Sequence, residues 1–167
     1  MRKASSQEPA QQLQGFITKY DPGIATLARS ALSKLRRRMP GLLELVYDNY
    51  NALAFGWSLT ERLGHTFCSV AIGRTSKNVH FGFYWGSQIS DPKKMLIGGG
   101  NQYRYILVKS QETFPKAYIK KLVKEAYANS LAKVKDKKQL REGLTITKSV
   151  SPAKRTARKA SKNKMQR

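Results

Sequence analysis

The hydrophobic period of this chain changes twice, and each change marks a new kind of element. Ile24, Leu27, Ala28, Ala31, Leu32 and Leu35 recur at three- and four-residue spacings, as one face of a helix requires. Asp21-Pro22 starts that helix, since the carboxylate accepts from free N–H groups and proline has no donor to leave unpaired there. Pro40-Gly41 ends it. A shorter helix is predicted over residues 11–20. The period then falls to two. Cys68, Val70 and Ile72 alternate within residues 66–74, and Val79, Phe81, Phe83 and Trp85 within residues 78–85. Both segments read as half-buried strands, joined by the loop Thr75-Ser76-Lys77-Asn78, with His80 opposite about Gly73. Residues 44–50, 52–56 and 103–109 are predicted as further short strands. The helical period returns over residues 115–135, with Ile119, Leu122, Val123, Ala126, Ser130 and Val134 inward. Helices, then strands, then a helix predict an α+β fold: an antiparallel sheet of about five strands with helices packed on one face.

This pattern covers residues 15–136, a common size for one domain with one core. Residues 1–14 are polar, contain Pro9 and are expected to be a disordered lead-in. Beyond residue 136 the apolar positions thin out, so 137–167 is expected to be a disordered tail that contributes nothing to stability. On that reading, deleting residues 144–167 leaves the unfolding midpoint unchanged.

Charge sharpens the picture of the partner. The formal net charge is +22, and residues 131–167 supply half of it, with 13 basic residues against 2 acidic ones. Lys148, Lys154, Arg155, Arg158, Lys159, Lys162, Lys164 and Arg167 follow one another without an acid or an aromatic among them. Such a block is attracted to polyanions through counterion release, nucleic acid above all, without reading bases. The helices add Arg29, Arg36 and Arg37 on the first and Lys120, Lys121, Lys124 and Lys135 on the second, opposite their apolar faces. One cysteine excludes an intramolecular disulfide framework and suits a reducing cytoplasm. Met1-Arg2-Lys3 is followed by no apolar stretch, and no run approaches the ~18 apolar residues of a membrane span.

No motif carries a reaction. Gly98-Gly99-Gly100 precedes a strand rather than opening a helix, so it reads as a turn with positive φ and not as a phosphate loop. His65 and His80 fall too far apart along the hairpin to share a metal, and Cys68 sits on the apolar phase of its strand as an inert thiol. Asp48, amid Tyr47, Asn49 and Tyr50, and Asp91, before Pro92, suit local capping; converging in a pocket, they are the pair that general acid–base work or a metal would need. No cofactor and no metal is expected.

Two resemblances follow. The alternation of Lys and Arg with Ala, Ser and Pro after residue 150 resembles the tails of linker histones and histone-like bacterial proteins. The run Glu44-Leu45-Val46-Tyr47-Asp48-Asn49-Tyr50-Asn51-Ala52-Leu53, then Ser58-Leu59-Thr60-Glu61-Arg62, Ile89-Ser90-Asp91-Pro92, Leu96, Gly98, Gly100 and Arg104, resembles the YdhG-like family of small bacterial domains. The similarity spans about residues 15–130. It implies an α+β domain with a central antiparallel sheet, and a shared pocket or scaffold at Tyr47, Asp48, Tyr50, Asp91, Gly98, Gly100 and Arg104. It also implies a distant likeness to frataxin and its iron handling. Ile97 and Asn101 stand where many relatives carry an acid and a lysine, and the domain is basic where iron carriage of the frataxin kind uses an acidic surface. The reading is therefore a non-enzymatic binding module with non-specific nucleic-acid affinity. Its rivals are an iron-handling protein and a small-molecule binder or enzyme with a cleft at Tyr47, Asp48, Asp91 and Arg104.

Overall fold

Asp21 caps the first long helix as its position predicts: the carboxylate accepts from the N–H groups of Gly23 at 2.9 Å and Ile24 at 3.4 Å. In the computed structural model, which describes residues 10–112 and 116–151, a short helix α1 (Ala10–Ile17) precedes this helix, α2 (Pro22–Arg38). Residues 10–14 are thus helical rather than part of a lead-in. Arg29 of α2 ties them down by donating to Gln14 at 2.7 Å.

Strands β1 (Leu43–Asn49), β2 (Ala52–Ser58), β3 (Thr66–Gly73), β4 (Val79–Phe83) and β5 (Arg104–Leu107) form an antiparallel run, and α3 (Ala117–Lys133) follows. The fold is α+β, as expected. One phase of the sheet (Val46, Leu53, Phe55, Trp57, Val70, Phe81 and Phe83) is closed to solvent against Ala28, Leu32, Leu35, Ile119 and Leu122 of α2 and α3. At roughly 1.5–3 kcal/mol for each large side chain buried, this layer is the main favourable term in folding.

The β3–β4 pairing differs by two residues from the predicted register. His80 stands opposite Ala71, not Gly73. The hairpin closes one pair earlier, with the Gly73 N–H on the Asn78 carbonyl at 3.1 Å and Lys77 at φ 51°. An even shift keeps every side chain on its predicted face. Trp85 is the exception: its backbone is left-handed at φ 57°, which turns it out of the strand so that its indole N–H bonds the Gly64 carbonyl at 2.9 Å.

The largest correction concerns the segment beyond residue 136. A sixth strand, β6 (Thr145–Ser151), pairs in parallel with β1, giving the order β5-β4-β3-β2-β1-β6. Before it the chain is tied to the domain by Arg141 N–H to the Leu59 carbonyl at 3.0 Å and Gly143 N–H to that of Gly41 at 2.8 Å. The folded unit therefore includes residues up to at least 151. The reason is local: Leu144-Thr145-Ile146-Thr147 is β-branched and alternating, and β1 offers it an unpaired edge beside fully buried Leu45 and Val46. Net charge says nothing about such a strand.

Candidate functional site

The residues proposed from sequence as one pocket are dispersed. Tyr47 and Asp48 are neighbours on β1 and so point to opposite faces of the sheet. Asp48 enters the helix side, is 1% exposed, and accepts from Arg74 at 2.6 Å and Lys19 at 3.1 Å. Tyr50 sits exposed in the β1–β2 turn. Arg104 lies on β5, four strand spacings or about 19 Å from β1, and donates to the Gly100 and Tyr103 carbonyls. Asp91 belongs to a loop against α3, where it accepts from Leu96 N–H at 2.8 Å, Met95 N–H at 3.1 Å and Tyr118 hydroxyl at 2.7 Å. Partial burial raises its pKa, but these three donors outweigh that and hold the carboxyl below the usual range. Each acid performs local capping or pairing, and no cleft joins them. Gly98, at φ 127°, makes the predicted turn: a side chain there would also meet the Tyr103 carbonyl at 2.9 Å.

Other single residues fall into structural roles. Cys68 is fully enclosed, and burial pushes its thiol well up. His65 exchanges a hydrogen bond with buried Thr60 at 2.7 Å, while His80 stacks on Tyr105 with ring centres 4.3 Å apart. Burial lowers the pKa of both imidazoles. Among the described residues no group of three or more His, Cys, Asp or Glu side chains is placed to hold a metal ion. Nor is any helix there long and apolar enough to cross a membrane.

The acids of the fold divide between internal and exposed positions. Besides Asp48 and Asp91, Asp21 caps α2, Glu44 is 4% exposed and bidentate to Arg36 at 2.5 and 2.9 Å, Glu125 accepts from Ser90 N–H and Asp136 from Lys138 N–H. Glu44 and Asp48 are thus buried on internal donors, whereas Asp21, Glu61, Glu112, Asp136 and Glu142 are exposed. Arg36, predicted on the free helix face, is committed to Glu44, whose hydrogen bonds hold it more firmly protonated. Its neighbour Arg38 instead meets Lys120 and Lys124 of α3 around a groove of about 300 Å³ floored by Leu35, Ile119 and Val123. The two helices share one cationic rim, which their separate sequences do not reveal. Lys148 lies in β6, 3.7 Å from Glu61. Lys154, Arg155, Arg158, Lys159, Lys162, Lys164 and Arg167 lie outside the described residues.

The feature that sequence reasoning missed is the other face of the sheet. There the alternate positions of β2 and β3 are small: Ala52, Ala54 and Gly56 face Gly73, Ala71 and Ser69 in register. They floor an open cleft of about 560 Å³ with Tyr47 on one side and His80, Tyr84 and Tyr103 on the other. Gly82 is required here, because the Tyr103 ring lies directly on it and a Cβ would come within 2.0 Å of the hydroxyl. The signal was present as runs of small residues in the polar phase of two strands; only their apolar phase was used to predict the sheet.

Tyr103 also makes the fold sensitive to alkali. Burial is the chief cause that pushes its phenol from 10.0 up to about 12, against a smaller opposing hydrogen bond with Ser69. A raised acid pKa favours the neutral folded form, so this contribution is complete below pH 10.0 and disappears as pH rises toward 12. Tyr20, Tyr47 and Tyr84 are shifted the same way by burial. The unfolding midpoint should accordingly fall through this window, and less steeply in Tyr103→Phe. Parallel pH profiles for the two proteins, followed by denaturant titration, would contradict the assignment.

Comparison with known protein families, with curated proteins and with solved structures found no match to this chain.

Proposed function

We propose that this protein is a YdhG-like, non-enzymatic cytoplasmic module that binds nucleic acid without sequence preference. The excess of cations carries this reading: 32 basic residues stand against 10 acidic ones, for a net charge of +22, and two of those acids, Glu44 and Asp48, are buried and paired within the fold. The Arg38, Lys120 and Lys124 rim gives the folded part its own share of that field, and the cations after residue 151 extend it. An iron-handling role of the frataxin kind is disfavoured by the same excess, because such a role uses an acidic surface and this chain carries 32 basic residues against 10 acidic ones.

The test is a salt series on the full-length protein with a single- and a double-stranded oligonucleotide. Neutralising about four to eight phosphates implies an affinity that falls roughly 10²- to 10⁴-fold between 50 and 200 mM salt. Replacing Lys154, Arg155, Arg158, Lys159, Lys162, Lys164 and Arg167 by Gln should flatten the slope, and adding Lys120→Gln and Lys124→Gln should flatten it further. Absence of binding at 50 mM salt defeats the proposal. An unchanged slope in the seven-residue variant would move the interface to the helix rim alone.

A further inference from the structure

The cleft on the open sheet face differs in chemistry from the rest of the molecule. No Asp, Glu, Lys or Arg lines it among the described residues, although the chain has 32 basic residues. Its polar groups are amides and hydroxyls: Asn49, Asn51 and Gln102 at the rim, and Ser69, Tyr84 and Tyr103 deeper along the sheet. The floor of Ala54, Gly56, Ser69 and Ala71 is flat for want of side chains. β1 and β4, which carry the Tyr47 and His80 walls, are three strand spacings or about 14 Å apart. That width suits two or three fused rings laid flat between aromatic edges, the offset and edge-to-face contacts aromatic groups prefer.

Thr66 completes the floor: it is 2% exposed, with its methyl group packed on Gly56 and its hydroxyl closed to solvent. The volume of about 560 Å³ falls within the range of small-molecule pockets.

We infer that this cleft binds a neutral planar heteroaromatic molecule of two or three fused rings, held by stacking on the small-residue floor and by hydrogen bonds to the amide and hydroxyl rim. A phosphate-bearing ligand is disfavoured because nothing cationic lines the walls. His80 fits the same picture, since burial keeps its imidazole neutral. The inference is independent of nucleic-acid binding by the cationic surface, and salt distinguishes the two: a neutral ligand that forms no ion pair releases no counterions.

The experiment uses full-length protein and two fluorescent neutral probes, 2-aminopurine and riboflavin, both quenched on stacking against tyrosine. Saturable quenching by at least one is expected, with an affinity that does not change between 50 and 200 mM salt. Ala54→Leu and Ala71→Leu, each filling the floor from the side away from the core, should each weaken it by about tenfold or more. Circular dichroism and the unfolding midpoint serve as the folding control, and the two variants sit on different strands so that one failing to fold leaves the other to decide. No saturable quenching by either probe, undiminished affinity in a folded variant, or a strong salt dependence would each overturn the inference. Quenching confined to 2-aminopurine within a single-stranded oligonucleotide, and abolished by Ala54→Leu, would overturn it in favour of a strand laid across the sheet.

Discussion

Removing residues 144–167 is expected to lower the unfolding midpoint by about 6–20 °C, whereas removing only 152–167 leaves all six strands in the chain. β6 supplies the parallel partner for β1, paired from Glu44–Thr145 to Asn49–Ser151 with a shift of register between Val46 and Tyr47. Without it the ladder on that side is unmade and β1 becomes an exposed edge. Leu43, Leu45 and Val46, all fully buried, then lose part of their cover. Partial exposure of large apolar side chains at ~1.5–3 kcal/mol each gives a loss of about 3–5 kcal/mol. At about 2–4 °C per kcal/mol for a chain of this size, the shift is large and simple to measure by thermal unfolding. An unchanged midpoint would mean that β6 contributes nothing and that the domain ends near residue 136. The exposed β1 edge should also promote self-association, visible in sedimentation of the shorter chain.

Asp48→Ala is the point substitution with the largest expected effect. The carboxylate is 1% exposed and joins the α1–α2 connection, through Lys19, to the β3–β4 hairpin, through Arg74. Its loss leaves the guanidinium half enclosed, with an Nε that already has no hydrogen-bond partner. Breaking a buried pair by removing one partner costs about 3–5 kcal/mol. The lower end applies, because Arg74 and Lys19 are 30% and 55% exposed and recover part of their hydration. The urea midpoint should fall with little change in slope, since the surface exposed on unfolding is the same. A loss under about 1 kcal/mol would place this pair with ordinary surface ion pairs. Arg74→Ala tests the complementary case, in which the carboxylate stays buried with Lys19 alone.

Periodicity and caps were enough to predict most of the framework. The inward positions of α2 and α3, the Asp21 cap, the core phase of β3 and β4 and the Gly98 turn depend on local spacing or backbone sterics, and these act within a few residues of chain. Even the two-residue error in the hairpin register left each side chain on its proper face, because the period of a strand is two. By contrast, β6 was misread. Its pairing is decided by an edge about a hundred residues earlier, and a segment rich in lysine and arginine looks like a solvated tail until that edge is seen.

The same division runs through the functional surfaces. Sequence by itself determined the sign of the charge, the single cysteine and the placing of acids beside tyrosine and proline where capping is natural. Only the tertiary structure decided that Asp48 turns to the helix side of the sheet, that its strand and that of Arg104 stand about 19 Å apart, and that Arg38 joins Lys120 and Lys124. It alone assembled the uncharged cleft, because the small residues of β2 and β3 and the aromatics of β1, β4 and the loop before β5 become one surface only when the strands pair. Local interactions are written in neighbouring residues and survive in the linear text. Juxtaposition across a sheet depends on strand order, which hydrogen bonds between distant segments establish and no short window of sequence contains.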